Sequence, residues 1–308
     1  MRPWILAETN YGFVKDNPYQ VAVLPMGATE PHNFHLPYGT DTYQADAVGS
    51  RVCEAAWKKG AKVVMLPAIP YGTETNQMEF PLAMNVNPTT LHYVIRDIVA
   101  SLAKHRIHKL VILNSHGGNE FKPLLREMTG TTPVKMFLCD WFRKISADVQ
   151  AELFEDAGDH AGAMETALGL AFFADFVDVD PATGKITGDD GAVNPTRFEA
   201  VNEGWVTLSR PWHLLTKNTG SGDPHPGTAA KGEQLMSVIV ERLSDFGRQL
   251  SVGQQRVDRF GQRPAGFNFI AQQFAGGQMR PPKLRFGKFT HGSLASPWAS
   301  QYKNDIGR

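Results

Sequence analysis

The sequence predicts an α/β fold built on a mainly parallel β-sheet. Short runs rich in β-branched residues alternate with segments whose apolar residues recur at helical spacing, a pattern typical of βαβ units. The connecting segments are long enough for right-handed crossovers between parallel strands. Hydrophobic residues make up 42% of the 308 residues, so the chain can bury one large core.

The elements can be placed in order along the chain. Strands are expected at residues 21–25, 62–66, 110–113 and 134–138. Helices are expected at residues 42–59, 88–105, 121–128 and 227 to about 250. Pro88 opens the second helix and Gly60 follows the first, and these are the helix ends that proline and glycine favour.

Two segments lack this alternation. Residues 181–219 are expected to be irregular with one short hairpin. Residues 251–308 are rich in Gln, Gly, Pro, Arg and Phe, which predicts an extended arm packed on its own or a neighbouring subunit. The sequence thus divides into a catalytic domain at 1–250 and a C-terminal extension.

Charge and cysteine usage restrict the partners. Lys+Arg and Asp+Glu balance at 31 each, which argues against nucleic acid or an anionic membrane as the main partner. Cys53 and Cys139 form no CxxC pattern, which favours a reduced, cytoplasmic setting. No signal-peptide pattern or membrane-length apolar run is found, so we expect a soluble protein acting on a small molecule.

Polar, glycine-rich segments follow each predicted strand. They lie at residues 27–41, 71–72, 114–119 and 140–141. The carboxyl ends of parallel strands share one edge of a sheet, where ligands usually bind. We therefore expect the reactive side chains to meet at that edge.

The segment 27–41 offers the strongest chemical signal. Glu30 and His32 are two residues apart, so their side chains share a face in extended backbone. Asp41 follows, and its two carboxylate oxygens could bridge two cations. Such oxygen and nitrogen donors suit Zn, Mn or Fe. The alternative is a polar loop whose last residues cap the following helix.

Two further segments carry candidate residues. His116 ends a predicted strand and is followed by Gly117 and Gly118, so the backbone there can approach a ligand closely. A tight turn is the alternative, because the phosphate-loop pattern is absent. His160 is a candidate general acid or base, and Glu165 a metal ligand or a residue that orients water. A helix-capping segment is the alternative there.

These segments together resemble the creatininase family. The resemblance is carried by Gly-x-x-Glu-x-His-x-x-His-Leu-Pro ending in Asp41, by Asn-x-His-Gly-Gly-Asn at 114–119, by His-Ala-Gly-x-x-Glu-Thr at 160–166, and by the block at 222–233. It spans about residues 1–250. It implies a three-layer α/β/α fold, a homo-oligomer, often a hexamer, and two divalent metal ions. Glu30 and His116 would hold one ion, His32 the other, and Asp41 would bridge both.

The chain departs from creatininase itself in ways that argue against creatinine as the substrate. Gly118 stands where creatininase has a ligating glutamate, so Glu165, water or substrate would have to complete the second site. The segment after Tyr71 also differs, and no tryptophan directly precedes His160. We expect substrate contacts from Tyr71, Gly117, Gly118, Asn119 and Trp141.

The predicted reaction is hydrolysis of a small cyclic or formyl-type amide at its C–N bond. Two cations about 4 Å apart can lower the pKa of a water between them toward neutrality, giving a bridging hydroxide. His160 would protonate the leaving group. One alternative is C–C hydrolysis of a cyclic polyol diketone, favoured by the polar segment Glu74–Glu79. Others are a non-catalytic metal-binding scaffold and nucleophilic catalysis by Ser115 or Cys139.

Overall fold

The computed structural model describes residues 1–252 of the chain. The strands are β1 (Val21–Met26), β2 (Val63–Met65), β3 (Lys109–Asn114) and β4 (Lys135–Asp140). The helices in this range are α1 (Tyr11–Asp16), α2 (Thr40–Lys58), α3 (Pro88–Lys104), α4 (Lys122–Met128), α5 (Ala147–Leu153), α6 (Ala163–Phe172), α7 (Glu199–Asn202), α8 (Trp212–Leu215) and α9 (Ala229–Val252). The predicted extension lies almost entirely outside the described residues.

The four strands form one parallel sheet in the order β2-β1-β3-β4. The central strand β1 pairs on both sides, so Val23 lies opposite Met65 of β2 and Val111 of β3. This arrangement requires a crossover helix between successive strands, and α2, α3 and α4 fill that role. The prediction of a parallel sheet is confirmed.

Helices cover both faces of the sheet. Successive side chains of a strand point to opposite faces. Val21 and Val23 therefore pack with α2, α6 and α9, whereas Ala22 and Leu24 pack with α3 and α4. Because both faces are buried, the strands are almost continuously apolar and not alternating. The predicted three-layer α/β/α fold is confirmed.

The predicted boundaries agree with the structure to within two residues for the four strands and for α2, α3, α4 and α9. An isolated antiparallel bridge joins Val179 and Ile186, so the turn between them begins just before the region 181–219 in which one short hairpin was expected. That region contains the single-turn helices α7 and α8, which were not predicted. Helix α5 was missed as well, since its seven residues carry too few apolar positions to show helical spacing.

The loops after β1, β2, β3 and β4 meet at the carboxyl edge of the sheet, as expected for parallel strands. The start of helix α6 lies at the same edge. His160, just before this helix, contacts the loop after β1 and forms a β-bridge with Ser221. Among the described residues, no helix has the length and apolar character needed to cross a membrane.

Candidate metal centre

Ionisable side chains from four segments converge at this edge. The loop after β1 supplies Glu30 and His32, the first turn of α2 supplies Asp41, and the turn after β3 supplies His116. All four side chains are buried. The first turn of α6 adds Glu165 from the opposite side of the cluster. The structure thus brings together the residues that the sequence proposed as ligands.

Asp41 lies between the two histidines. Its Oδ1 is 3.4 Å from Nε2 of His32, and its Oδ2 is 3.1 Å from Nδ1 of His116. One carboxylate therefore presents a different oxygen to each imidazole. This is the arrangement that a carboxylate bridging two cations needs.

Hydrogen bonds to the backbone decide which imidazole nitrogen faces the cluster. Nδ1 of His32 donates to the carbonyl oxygen of Glu30 at 3.1 Å, and Nε2 of His116 donates to that of Thr73 at 3.1 Å. Each ring therefore keeps a hydrogen on the outer nitrogen, so the inner nitrogen is the one that can offer a lone pair to a cation once its own proton is lost. Metal-binding histidines are usually oriented in this way.

Glu30 and Glu165 are each oriented by a hydrogen bond that one of their carboxylate oxygens accepts. Oε1 of Glu30 is 2.9 Å from Nδ1 of His116, while its Oε2 accepts a hydrogen bond from the side-chain amide of Gln77. Oε2 of Glu165 accepts from the backbone N–H of Ala161 at 2.6 Å and lies 3.8 Å from Nε2 of His32. Glu165 thus both closes the start of α6 and faces His32.

The cluster fits divalent ions on three grounds. Its possible ligand atoms form close groups, namely Glu30–Glu74–His116, His32–Asp41–Glu165 and Glu30–His32–His160. Nε2 of His32 and Oδ2 of Asp41 are buried and have no hydrogen-bond partner within residues 1–252, although buried polar atoms are normally satisfied. Carboxylate and imidazole donors suit Zn, Mn or Fe.

Burial and mutual attraction shift the pKa values within the cluster. Burial raises the pKa of Glu30 well above its usual value and raises that of Glu165 to about 7. Burial also disfavours the charged form of His32, but the neighbouring carboxylates, Asp41 first, outweigh it and raise its pKa to about 10. For Asp41 the attraction of His32 and His116 outweighs burial and holds the pKa below the usual range. Protons therefore occupy the site when no cation does.

His160 lies at the border of this cluster. Its Nε2 donates a hydrogen bond to the carbonyl oxygen of Pro31 at 2.9 Å, and its Nδ1 is 3.9 Å from Oε1 of Glu30. Burial and the nearby His32 lower its pKa to about 3. His160 is therefore a neutral imidazole near pH 7, with the lone pair of Nδ1 directed toward the carboxylates.

A cavity of about 400 Å³ opens over the cluster. Its wall includes ligand-type residues together with aromatic, amide and cationic side chains, namely Glu30, Asp41, Asn76, Gln77, Ser115, His116, Gly117, Gly118, Phe142, Arg143, Gln150, Gly158, Asp159, His160, Met164, Glu165 and Trp212. A small molecule in this space would touch His160 and the carboxylates together.

The expected substrate contacts divide into two groups. Gly117 and Gly118 line the cavity, whereas Tyr71, Asn119 and Trp141 are not part of its wall. Trp141 is fully buried behind the site, where its indole N–H donates to the hydroxyl of Ser115 at 3.1 Å. The structure thus corrects the placement of Trp141, which packs into the core, and Phe142 and Trp212 supply the aromatic wall.

The other two residues outside the wall have different surroundings. Tyr71 is about half exposed on the rim. Asn119 is buried and ties three segments together, because it accepts from the N–H of Thr73 and donates to Gly27 and Asn114. Asn119 therefore stabilises the turns that carry the candidate ligands and does not face the cavity.

Sequence reasoning missed the contribution of the loop after β2. Glu74 and Gln77 were interpreted as polar rim residues, yet both side chains are buried against His116 and Glu30. The loop has no periodicity that would mark these two side chains as buried. Cys139 is an unsuitable nucleophile, because burial raises the pKa of its thiol to about 12.

Comparison with known proteins gives concordant matches. Residues 10–246 match the family model Creatininase, described as creatinine amidohydrolase. The chain is 29% identical to creatinine amidohydrolase of Pseudomonas putida, over 74% of this chain and 89% of that protein. It is 26% identical to a mycofactocin precursor peptide peptidase of Mycolicibacterium smegmatis, over 73% of this chain and 83% of that one.

The fold has a similar counterpart among solved structures. A Bacteroides fragilis protein described as a creatinine amidohydrolase superimposes with a TM-score of 0.73 at 31% identity. The match covers 82% of this chain and 97% of that one. Sequence and backbone comparisons thus agree over the region that contains every residue of the candidate metal centre.

Proposed function

The chain belongs to the creatininase family of metal-dependent hydrolases, and from this premise we propose that it hydrolyses the C–N bond of a small amide at a centre of two divalent ions. The observation that carries the proposal is the position of Asp41, whose two oxygens face His32 and His116 separately. A site for a single ion would not need the two oxygens of one carboxylate to face different imidazoles.

Each ion would be held by a distinct set of donors. Glu30 and His116 would hold one, His32 and Glu165 the other, and Asp41 would bridge them. Glu165 supplies the donor that Gly118 cannot. When bound, the two cations supply Lewis acidity, which lowers the pKa of a water and polarises a carbonyl oxygen.

His160 is the residue that would move protons. Its Nε2 hydrogen is fixed on the carbonyl of Pro31, so Nδ1 alone is free to accept a proton. A neutral base with this orientation can take a proton from the attacking water and transfer it to the leaving amine nitrogen. The grouping of His160 with Glu30 and His32 would also permit a ligand role, but the 3.9 Å separation from Glu30 favours proton transfer.

The substrate has to fit the cavity. A volume of about 400 Å³ accommodates a small cyclic amide, a formamide or the end of a short peptide. Phe142 and Trp212 offer apolar surfaces, while Asn76, Gln150 and Arg143 offer polar contacts. Cleavage of a peptide amide would use the same bond chemistry, which is the activity named for the mycobacterial relative.

C–C hydrolysis of a cyclic polyol diketone is the less favoured reaction. It depended on polar side chains at 74–79 that would bind substrate hydroxyl groups. Glu74 is fully buried and Gln77 hydrogen-bonds Glu30, so both are committed to the metal centre. Their polarity is explained without a hydroxyl-rich substrate.

The proposal is tested by reloading the metal-free protein. The protein is stripped with a chelator, reloaded separately with Zn, Mn or Fe(II), and assayed on cyclic imides, formamides, short peptides and a keto-inositol. We expect two ions per chain and metal-dependent C–N bond cleavage of at least one amide, seen as ring opening of a cyclic imide or as amine release from a formamide or peptide. Turnover confined to the keto-inositol, or none with any ion, would reject the amide assignment.

Self-association is part of the proposal. Large apolar side chains are exposed on the described surface, among them Trp205, Leu214 and Leu82, each more than 60% accessible. Where such side chains lie together in a patch, they mark a surface that another subunit can cover. Light scattering of the full chain is expected to give a homo-oligomer, and a monomer at micromolar concentration would contradict this.

A further inference from the structure

The side chain of Glu74 has no evident role in the fold. Glu74 lies in the loop after β2 and is fully buried; its backbone N–H donates to Oδ1 of Asn85 at 2.8 Å, and its carbonyl oxygen accepts from the N–H of Gln77 at 3.0 Å. Neither carboxylate oxygen receives a well-oriented hydrogen bond from any residue in the described part of the chain. An uncompensated buried carboxylate is costly, so this one needs a positive partner.

The nearest candidate partner is His116. Oε1 of Glu74 is 2.7 Å from Nε2 of this ring, and the carbonyl oxygen of Thr73 is 3.1 Å from the same nitrogen. The other ring nitrogen, Nδ1, faces Glu30 at 2.9 Å and Asp41 at 3.1 Å. The imidazole thus lies between Glu74 on its outer side and the proposed ligands on its inner side.

We propose that Glu74 is a positioning residue for the metal centre, which keeps the hydrogen of His116 on Nε2 and strengthens Nδ1 as a donor to the ion shared with Glu30. The inference rests on the proposed function, because it requires an ion at that place. A negative charge beside the outer nitrogen fixes the tautomer and ring orientation, and makes the inner nitrogen a better ligand.

The glycine at position 118 accounts for how Glu74 reaches this place. A Cβ there would overlap both Nε2 of His116 and the carbonyl oxygen of Thr73. Only the absence of a side chain lets the loop after β2 close against the ring. Gly118 therefore permits the close approach of Thr73, the neighbour of Glu74 in the chain, to the ring of His116.

The test measures metal affinity in Glu74→Gln and Glu74→Asp, with Glu79→Gln as the matched control. Glu79 lies in the same loop but is exposed. Zn affinity is measured by chelator competition, and the Co(II)-substituted proteins are compared by visible absorption.

We expect Glu74→Gln to weaken the binding of one of the two ions about 10- to 100-fold and to shift the Co(II) spectrum. Glu74→Asp, which keeps the charge, should recover part of the affinity, and Glu79→Gln should match the wild type.

The possible outcomes separate the two proposals. Wild-type protein that binds no divalent ion rejects the metal centre itself. Wild-type protein with two ions, and Glu74→Gln with unchanged affinity and spectrum, rejects only the role of Glu74. Complete loss of one ion from Glu74→Gln at saturating metal also rejects it, because that result indicates a direct ligand. Thermal unfolding of each metal-free variant verifies that the compared proteins are folded. If Glu74→Gln does not fold, the metal affinity and Co(II) spectrum of Glu74→Asp decide whether Glu74 positions His116.

Discussion

The imidazole of His160 donates its Nε2 hydrogen to the carbonyl oxygen of Pro31, 2.9 Å away, so its Nδ1 faces the carboxylate cluster. This contact links the start of α6 to the loop that carries Glu30 and His32. It places a neutral base beside the proposed metal centre without making that base a required ligand. Proton transfer and metal binding can therefore be separated by mutation.

Replacement of His160 by alanine is expected to lower kcat at least about 100-fold while both ions remain bound, since general acid–base catalysis contributes that much. Metal content by mass spectrometry and initial rates on the same samples provide the check. His105→Ala is the control, because His105 is exposed at the end of α3, at the opposite edge of the sheet. Loss of an ion from His160→Ala would show that His160 is a ligand.

Replacement of Asp41 by asparagine is expected to deplete both ions, whereas replacement of His32 should deplete one. The reason is that Asp41 presents a different oxygen to each histidine, at 3.4 and 3.1 Å, whereas Glu30 faces both rings with the same oxygen. Metal stoichiometry after dialysis measures the difference. Asp97→Asn, at an exposed position of α3, is the control and should retain two ions. Equal losses in the Asp41 and His32 variants would count against a bridging carboxylate.

The sequence predicts the structure best where candidate ligands follow segments with a clear strand pattern. Glu30, His32, Asp41 and His116 follow apolar strands, and the parallel topology alone predicts that they meet at one edge. The parallel sheet was equally predictable, because strands that alternate with helical segments are typical of βαβ units. Boundaries were placed to within two residues for the same reason.

The parts that could not be predicted depend on tertiary contacts. The loop after β2 has no periodicity, so nothing in its sequence distinguishes a buried Glu74 from an exposed Glu79. Trp141 directly follows β4, where a side chain can turn either to the cavity or to the core. It turns to the core because Ser115 offers a hydrogen-bond acceptor there. Such choices are decided by neighbours from distant segments.

Metal binding should become tighter as pH rises. In the metal-free protein the pKa of His32 is raised to about 10, so the ring is protonated at pH 7 and an ion has to displace that proton. Glu165, with its pKa near 7, adds a second competing proton as the pH falls below that value. Apparent affinity is expected to rise up to about tenfold per pH unit for each proton released. Calorimetry in buffers of different ionisation enthalpy counts the protons, and a count of zero at pH 7 would contradict the assignment.

Arg143 is expected to favour substrates that carry a carboxylate. It lines the cavity, and its nearest carboxylate, that of Asp140, is 3.9 Å from Nε. Because the distance in this ion pair is long, the guanidinium can also bind an anionic group of a substrate. Arg143→Ala should raise KM about tenfold for an acidic amide and leave KM for its neutral analogue unchanged, a loss of about 1.4 kcal/mol. Arg126→Ala, on α4, is the control, and equal effects on both substrates would exclude this role.

The two adjacent glycines after His116 are expected to differ sharply in their tolerance of alanine. A Cβ at Gly117 meets no atom within 4 Å, whereas one at Gly118 overlaps the ring of His116 and the carbonyl of Thr73. The backbone of Thr73 cannot retreat easily, because its N–H is fixed by Asn119 at 3.1 Å. Gly118→Ala should therefore cost about 1–3 kcal/mol of unfolding free energy, the usual range for overpacking, and should weaken metal binding through displacement of His116. Gly117→Ala should change either quantity little.

Chemical denaturation of the metal-free proteins isolates the packing effect from the metal effect. Equal stability of the two variants would mean that the loop after β2 does not close against His116 in solution, and the proposed role of Glu74 would then lose its structural basis.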